Sequence, residues 1–304
     1  MGLAKQKLGF IRHFSISVLI LVIFLPTVTA QNNYQASITK GARVMRVLEY
    51  DEKKWEDCLG SNYKPEDYFY GDAAEINAKS KIAIRALYSS DWSVIDLLTT
   101  LPIISETYFP ALLINYSQEE LDEFPENYEI QYALYSQWTY TQEEFEIDPD
   151  LTNRMPFFND PGDYKKWLDE FNEIITELSN PLLSQLAAED LFFNLLLSGM
   201  GSPAPIGDYL KDLIEELDVE DANVEDNTIT LQRDIEEKFD LEITYSSEGM
   251  IDHLVFKNSD GDIFYELQRS DDRWIIWTVF IGFVSFLIVA IAAIVLHRRR
   301  IKQR

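Results

Sequence analysis

The sequence predicts an α+β fold: an antiparallel sheet built from N- and C-terminal strands, a central helical segment covering one face, and one C-terminal transmembrane helix. Three observations lead there. Apolar residues alternate with a period of two in the first and last thirds of the central region, and they recur at three- and four-residue steps in its middle. An uncharged run, "WIIWTVFIGFVSFLIVAIAAIVL" (274–296), lies near the C-terminus.

Residues 1–13 hold Lys5, Lys7 and Arg12 with no acidic residue, and "FSISVLILVIFL" (14–25) is almost wholly apolar. A basic start, an apolar stretch and small residues at Val28 and Ala30 are the layout of a secretory signal peptide (1–30), with cleavage expected between Ala30 and Gln31. An uncleaved signal anchor is the alternative.

The first strands follow. "RVMRVLEYD" (43–51) places Val44, Leu48 and Tyr50 on one face, and "KIAIRALY" (81–88) alternates Ile82, Ile84, Ala86 and Tyr88. Residues 93–101 and 111–116 read as further strands. "EIQYALYSQWTY" (129–140) puts Ile130, Tyr132, Leu134, Trp138 and Tyr140 on one face with Ser136.

The period then changes. Between Asp163 and Leu178, Tyr164, Trp167, Leu168, Phe171, Ile174, Ile175 and Leu178 make one helix face. Asn180-Pro181 supplies a cap and a first-turn proline for a second helix over 182–198, and a third helix covers 208–217. After an acidic linker, residues 240–269 read as a three-stranded meander with turns at Ser247-Glu248-Gly249 and Ser259-Asp260-Gly261.

The apolar run 274–296 would reach about 34 Å as a helix, enough to span a bilayer core. Trp274 and Trp277 belong at the outer interface, and the tail 297–304 carries Arg298, Arg299 and Arg300 with no acid, which keeps it in the cytoplasm. The expected protein is a single-pass type I cell-surface protein whose ectodomain, 31–273, faces outward and whose C-terminal helix makes the bilayer a partner.

Eight of the 26 Lys and Arg lie in the two ends, whereas all 52 Asp and Glu fall between them. Such an acidic ectodomain excludes nucleic acid as a partner, because that binding needs cations facing phosphates. The acidic runs raise divalent cations such as calcium as ligands, against a plainly solvated surface; no other cofactor is expected. "NSDGD" (258–262) does not complete a calcium loop, since that register would put Phe256 and Leu267 where acidic ligands are required. Cys58 is the only cysteine, so no intrachain disulfide exists, and pairing between chains is the alternative to a buried thiol. His253 is the only histidine of the ectodomain, which leaves no multi-histidine zinc site and no supported catalytic triad. No catalytic residue is assigned. Asn115 heads the sequon Asn115-Tyr116-Ser117 and is the glycosylation candidate.

"GMGSPAPIG" (199–207) follows the apolar "LFFNLLLS" and is not a phosphate loop, since it follows a helix and ends at Gly207-Asp208 without a lysine. Two readings remain: a break between helices capped by Gly199, or a lid hinged at Gly199, Gly201 and Gly207 over an apolar pocket. The leading functional reading is an acidic ectodomain that binds an extracellular protein, ligand or cation without chemistry. The alternatives are a lipid- or apolar-ligand-binding protein and a carboxylate-dependent glycan hydrolase.

"TKGARVMRVLEYDEKKW" followed by "YFYGDAAEINAKSKIAIRAL", with a looser echo in "ITYSSEGMIDHLVFKNSDGDIFYELQR", resembles ectodomains of uncharacterised single-span archaeal cell-surface proteins. The resemblance implies no activity and no catalytic residue. No Pro-Gly-Phe precedes the apolar run, so the chain departs from archaeal sortase substrates and retention of the helix is expected.

Overall fold

Two antiparallel meanders meet at the first and last strands of the chain. In the computed structural model, which describes residues 34–69, 71–142, 152–178 and 183–270, the first meander comprises β1 (Gly41–Tyr50), β2 (Lys79–Trp92), β3 (Tyr128–Thr141) and β4 (Thr152–Phe157). The second comprises β5 (Ala222–Glu225), β6 (Thr228–Asp234), β7 (Lys238–Tyr245), β8 (Ile251–Asn258) and β9 (Ile263–Arg269). They join where β1 lies antiparallel to β9, with Met45 opposite Arg269 and Val47 opposite Leu267. The result is one nine-stranded sheet of order β4-β3-β2-β1-β9-β8-β7-β6-β5. The α+β class and the antiparallel sheet agree with expectation.

Inward positions alternate as a half-buried sheet requires. Ile229 and Leu231 of β6 and Phe239, Leu241 and Ile243 of β7 are buried between more exposed neighbours, and on β8 Leu254, Val255 and Phe256 are all buried. Apart from Val255, these residues share one apolar cluster with three helices: α6 (Gly162–Leu178), α7 (Ala188–Leu197) and α8 (Ile206–Leu217). α6 buries Tyr164, Trp167, Leu168, Phe171, Ile174 and Ile175, the stripe that its 3.6-residue period marks out. Shorter helices, α1 (Glu52–Leu59), α2 (Pro65–Phe69), α3 (Val94–Leu98), α4 (Pro102–Asn115) and α5 (Gln118–Asp122), fill the connections.

Several sequence expectations are corrected. Residues 93–101 and 111–116 are not strands. Ser93 and Asp96 form a capping box that starts α3, Pro102 occupies the first turn of α4, and "ALLIN" is that helix's last turn. The second helix starts at Ala188, because both polar atoms of the Asn172 side chain hold the Leu186 backbone in a non-helical path, at 2.7 and 2.9 Å. Its expected cap, Asn180-Pro181, lies outside the described residues. The acidic linker is in part the β5–β6 hairpin, turned at Asp226 with φ 52°. On β1 the buried side chains are Arg43, Met45 and Val47, so Val44 and Leu48 are not the core face, whereas Tyr50, beyond the register shift at Val47–Glu49, packs on the core beside Trp55 and Tyr265 as expected.

All described residues fall in one compact unit that begins at Tyr34. Among them no helix is long and apolar enough to cross a membrane. The expected cleavage site at Ala30 and Gln31, the apolar run with Trp274 and Trp277, and the tail with Arg298, Arg299 and Arg300 lie outside them.

Candidate functional site: a cavity between sheet and helix

The apolar interior is not continuous. Beside the main cluster a second one gathers Ile38, Ile84, Ala133, Tyr135, Met155, Phe157 and Met250. Between the two lies a cavity of about 730 Å³, with Met45, Leu195, Leu197, Met200, Leu254 and Leu267 on the main-cluster side and Ile82, Tyr135, Met155 and Met250 on the other.

The strands explain the gap. The β2–β3 ladder shifts register between Lys79 and Lys81 and again between Ile84 and Ala86. Register irregularities of this kind bend a strand and increase its local twist. The short segment between the two shifts carries Ile82 opposite Gln137 and Ile84 opposite Tyr135. Ser80, Ile82, Tyr135 and Gln137 all line the cavity, so the bent stretch forms its floor.

The C-terminal end of α7 forms the opposite wall. The helix ends in a glycine cap: Met200 N–H donates to the Leu195 carbonyl at 3.1 Å and Gly199 N–H to Leu196 at 3.3 Å, with Gly199 at φ 78°. Gly199 therefore terminates α7 and lines the cavity beside Leu195 and Leu197. The other two expected hinge glycines are fixed by packing. A Cβ on Gly201 would meet Ile38 Cδ1 at 2.7 Å, and one on Gly207 would overlap the Asp226 carbonyl. Ser202 N–H donates to the Gly249 carbonyl at 2.8 Å, and Ala204 and Gln35 exchange backbone hydrogen bonds. Gly199 breaks the chain after α7, Gly201 and Gly207 pack closely against Ile38 and Asp226, and the first residues of the stretch form cavity wall.

The polar lining is largely committed elsewhere. Thr99 and Thr100 donate to the Asp96 and Leu97 carbonyls, Ser80 to Trp138 and Ser198 to Leu195, each at 2.7–2.9 Å. Asp96 accepts from the Ser93 amide and hydroxyl. What these residues offer the cavity is mainly methyl and methylene surface. Gln137, Thr139 and Asn153 add a polar side on β3 and β4, and Arg154 stands over the Trp92 and Tyr132 rings at 5.9 and 5.6 Å.

Arg43 also lines the cavity, from an inward position on β1 that sequence reasoning passed over. Its guanidinium pairs with Glu248 and reaches the Thr39 carbonyl at 3.4 Å, and the pairing holds the Glu248 carboxyl below the usual carboxylate range. The phase of Arg43 with Met45 and Val47 was the available signal.

Among the described residues the lining contains no His or Cys and a single carboxylate, Asp96. Those residues bring together neither a nucleophile–base pair nor the paired carboxylates of glycoside hydrolysis. Among the described residues no cluster of His, Cys, Asp and Glu is arranged to hold a metal ion. The remaining candidates are scattered. His253, on β8, pairs with Glu266 at 2.7 Å. Cys58 is buried in α1, and burial pushes its thiol up to about 11. Asn115 is the exposed last residue of α4, its side-chain amide bound to the Ala111 carbonyl at 2.8 Å. In "NSDGD" the Asn258 side chain accepts from the Asp260 and Asp262 amides, which makes the segment a hairpin turn.

Fold and site together define an α+β domain with an amphipathic, partly open cavity. Comparison of the chain with protein-family models, with curated proteins and with solved structures found no match.

Proposed function

We propose that the domain binds an apolar or amphipathic small molecule in the cavity between α7 and the β1–β4 half of the sheet, without chemical conversion. The observation that carries this reading is the cavity's size combined with its lining. At 730 Å³ it falls within the range of small-molecule sites. Filled with water it would hold on the order of two dozen molecules at liquid density, against a wall where the Ser80, Thr99, Thr100 and Ser198 hydroxyls already donate to backbone carbonyls. Apolar surface left in contact with water is unfavourable by about 25 cal/mol per Å². A ligand with a hydrocarbon body removes that cost, and the polar edge at Gln137, Thr139 and Asn153 suits a small polar group at one end.

In this reading the protein is a membrane-anchored surface receptor or carrier for such a molecule, held by the expected span at 274–296. The acidic exterior keeps the domain soluble and disfavours docking flat on anionic headgroups. The hydrolase alternative gains no support from the lining, because Asp96 stands alone and serves as a helix cap.

Native mass spectrometry of the full chain released from its membrane tests the proposal. The expected spectrum contains a protein with one added small-molecule mass, absent from the cavity-filling variant Ile82→Trp. An unliganded mass for both proteins under conditions that preserve the fold would overturn it.

A further inference from the structure

The register of the sheet fixes where the cavity lies along the strands. Met45 stands opposite Ser80 on one side and Arg269 on the other, and Arg43 stands opposite Ile82, which in turn faces Gln137. A line drawn across β3, β2, β1 and β9 at this level passes through the cavity floor and ends at the last residues of β9. Met250 and Ile251, at the start of β8, line the cavity as well. Ser270 N–H donates to the Val44 carbonyl at 2.7 Å, so the backbone is still held to the sheet at this level. The cavity thus lies at the level of the sheet where β9 ends and the chain continues towards residues 274–296.

From Arg269 to Trp274 the chain has five steps, a reach of at most about 18 Å even when fully extended. One leaflet of hydrocarbon is about 15 Å thick, half of a ~30 Å core. The tail of a bilayer lipid is therefore of the same length as the greatest gap between the cavity level and the expected start of the span. Met45, Met200, Met250, Leu254 and Leu267 offer the unbranched and γ-branched side chains that adapt to a flexible hydrocarbon.

We infer that the ligand is a lipid of the bilayer that anchors the protein, its hydrocarbon tail lying between α7 and the cavity floor at the level where the chain leaves the sheet. This rests on the ligand-binding reading of the cavity and on the expected span. The tail runs along Leu267, Leu254 and Met200, and its polar end meets Gln137, Thr139 and Asn153. Free fatty acid from solution has the same tail chemistry, and the test separates the two sources.

The full chain is reconstituted in phosphatidylcholine nanodiscs containing a trace of phosphatidylcholine with a diazirine in its tail, irradiated and mapped by peptide mass spectrometry. Label is expected on peptides containing Met200, Met250, Leu254 or Leu267 as well as on 274–296. The variant Ile82→Trp is expected to lose the first set and keep the second; cavity label that persists in it would reveal surface attachment and overturn the inference. In parallel, the chain in unlabelled nanodiscs receives a diazirine-bearing palmitate. Cavity label from palmitate alone, with the lipid probe confined to 274–296, would overturn the bilayer source and leave ligand binding standing. No cavity label from either probe would overturn both.

Discussion

The Ser202 amide donates to the Gly249 carbonyl at 2.8 Å, and a Cβ on Gly249 would overlap the Ser202 carbonyl. Through this contact the turn between β7 and β8 closes directly on the segment that leaves α7, so two features read separately in the sequence are one piece of structure. Replacing Gly249, at φ 75°, with alanine should cost about 1–2 kcal/mol for the left-handed backbone, plus the displacement of Ser202. Gly261→Ala provides the control. It also has a positive φ, 83°, but nothing lies within 4 Å of its added methyl. Urea denaturation is expected to show Gly249→Ala less stable than Gly261→Ala by a further ~1–3 kcal/mol.

The Arg43–Glu248 pair makes part of the stability depend on pH. Because Arg43 holds the Glu248 carboxyl below its ordinary value, the pair contributes fully above the unfolded-state value of about 4.3 and loses its contribution as pH falls through the folded-state value. Glu248 is 35% exposed on its side chain, so screening limits the effect to roughly 1 kcal/mol or less. Thermal melts should show wild type more stable than Glu248→Gln at neutral pH, with the difference shrinking as the pH drops below about 4.

Cys58 should be chemically silent in the folded protein. It is 1% exposed, and burial pushes its thiol up to about 11, so both access and thiolate fraction are low. A disulfide-exchange reagent is expected to modify it slowly in buffer and completely in denaturant. Rapid native reactivity, or a covalent dimer on non-reducing gels, would restore pairing between chains as a role for this residue.

Filling the cavity should separate binding from folding. Ile82 is a half-buried strand residue facing the space, where an aromatic side chain is compatible with β geometry. Ile82→Trp is expected to lower ligand occupancy at least tenfold while shifting stability by less than about 1.5 kcal/mol. Trimming the packed α8 residue Leu210, which is 0% exposed, does the reverse: Leu210→Ala should cost about 2–5 kcal/mol without entering the cavity.

Much of the fold was legible because local pattern and tertiary burial agree. The strand around Leu241 alternates cleanly, the meander turns at Gly249 and Gly261, and α6 displays one stripe from Tyr164 to Ile175. Where the signal failed, a short apolar run had no period of its own. "VIDLL" and "ALLIN" fit a strand as well as a helix turn, and only the Ser93–Asp96 box and Pro102 decide between them. The β5–β6 hairpin hid within an acidic run because its inward residues, Val224, Ile229 and Leu231, are few and widely spaced. The apolar end of α7 and Gly199 pointed towards the cavity, but its floor depends on two register shifts between β2 and β3 that residue identities do not announce. Arg43 was legible in phase and was overlooked because β1 was assigned the opposite inward face.

On the proposed function, the space between α7 and the bent β2–β3 floor holds a hydrocarbon ligand. Titration of the full chain with cis-parinaric acid, a fluorescent fatty acid that brightens in apolar surroundings, tests it most directly. The expected result is saturable binding of one molecule per chain that Ile82→Trp abolishes. Absence of saturable binding to protein first stripped of bound lipid, or equal binding by wild type and Ile82→Trp, would contradict the account.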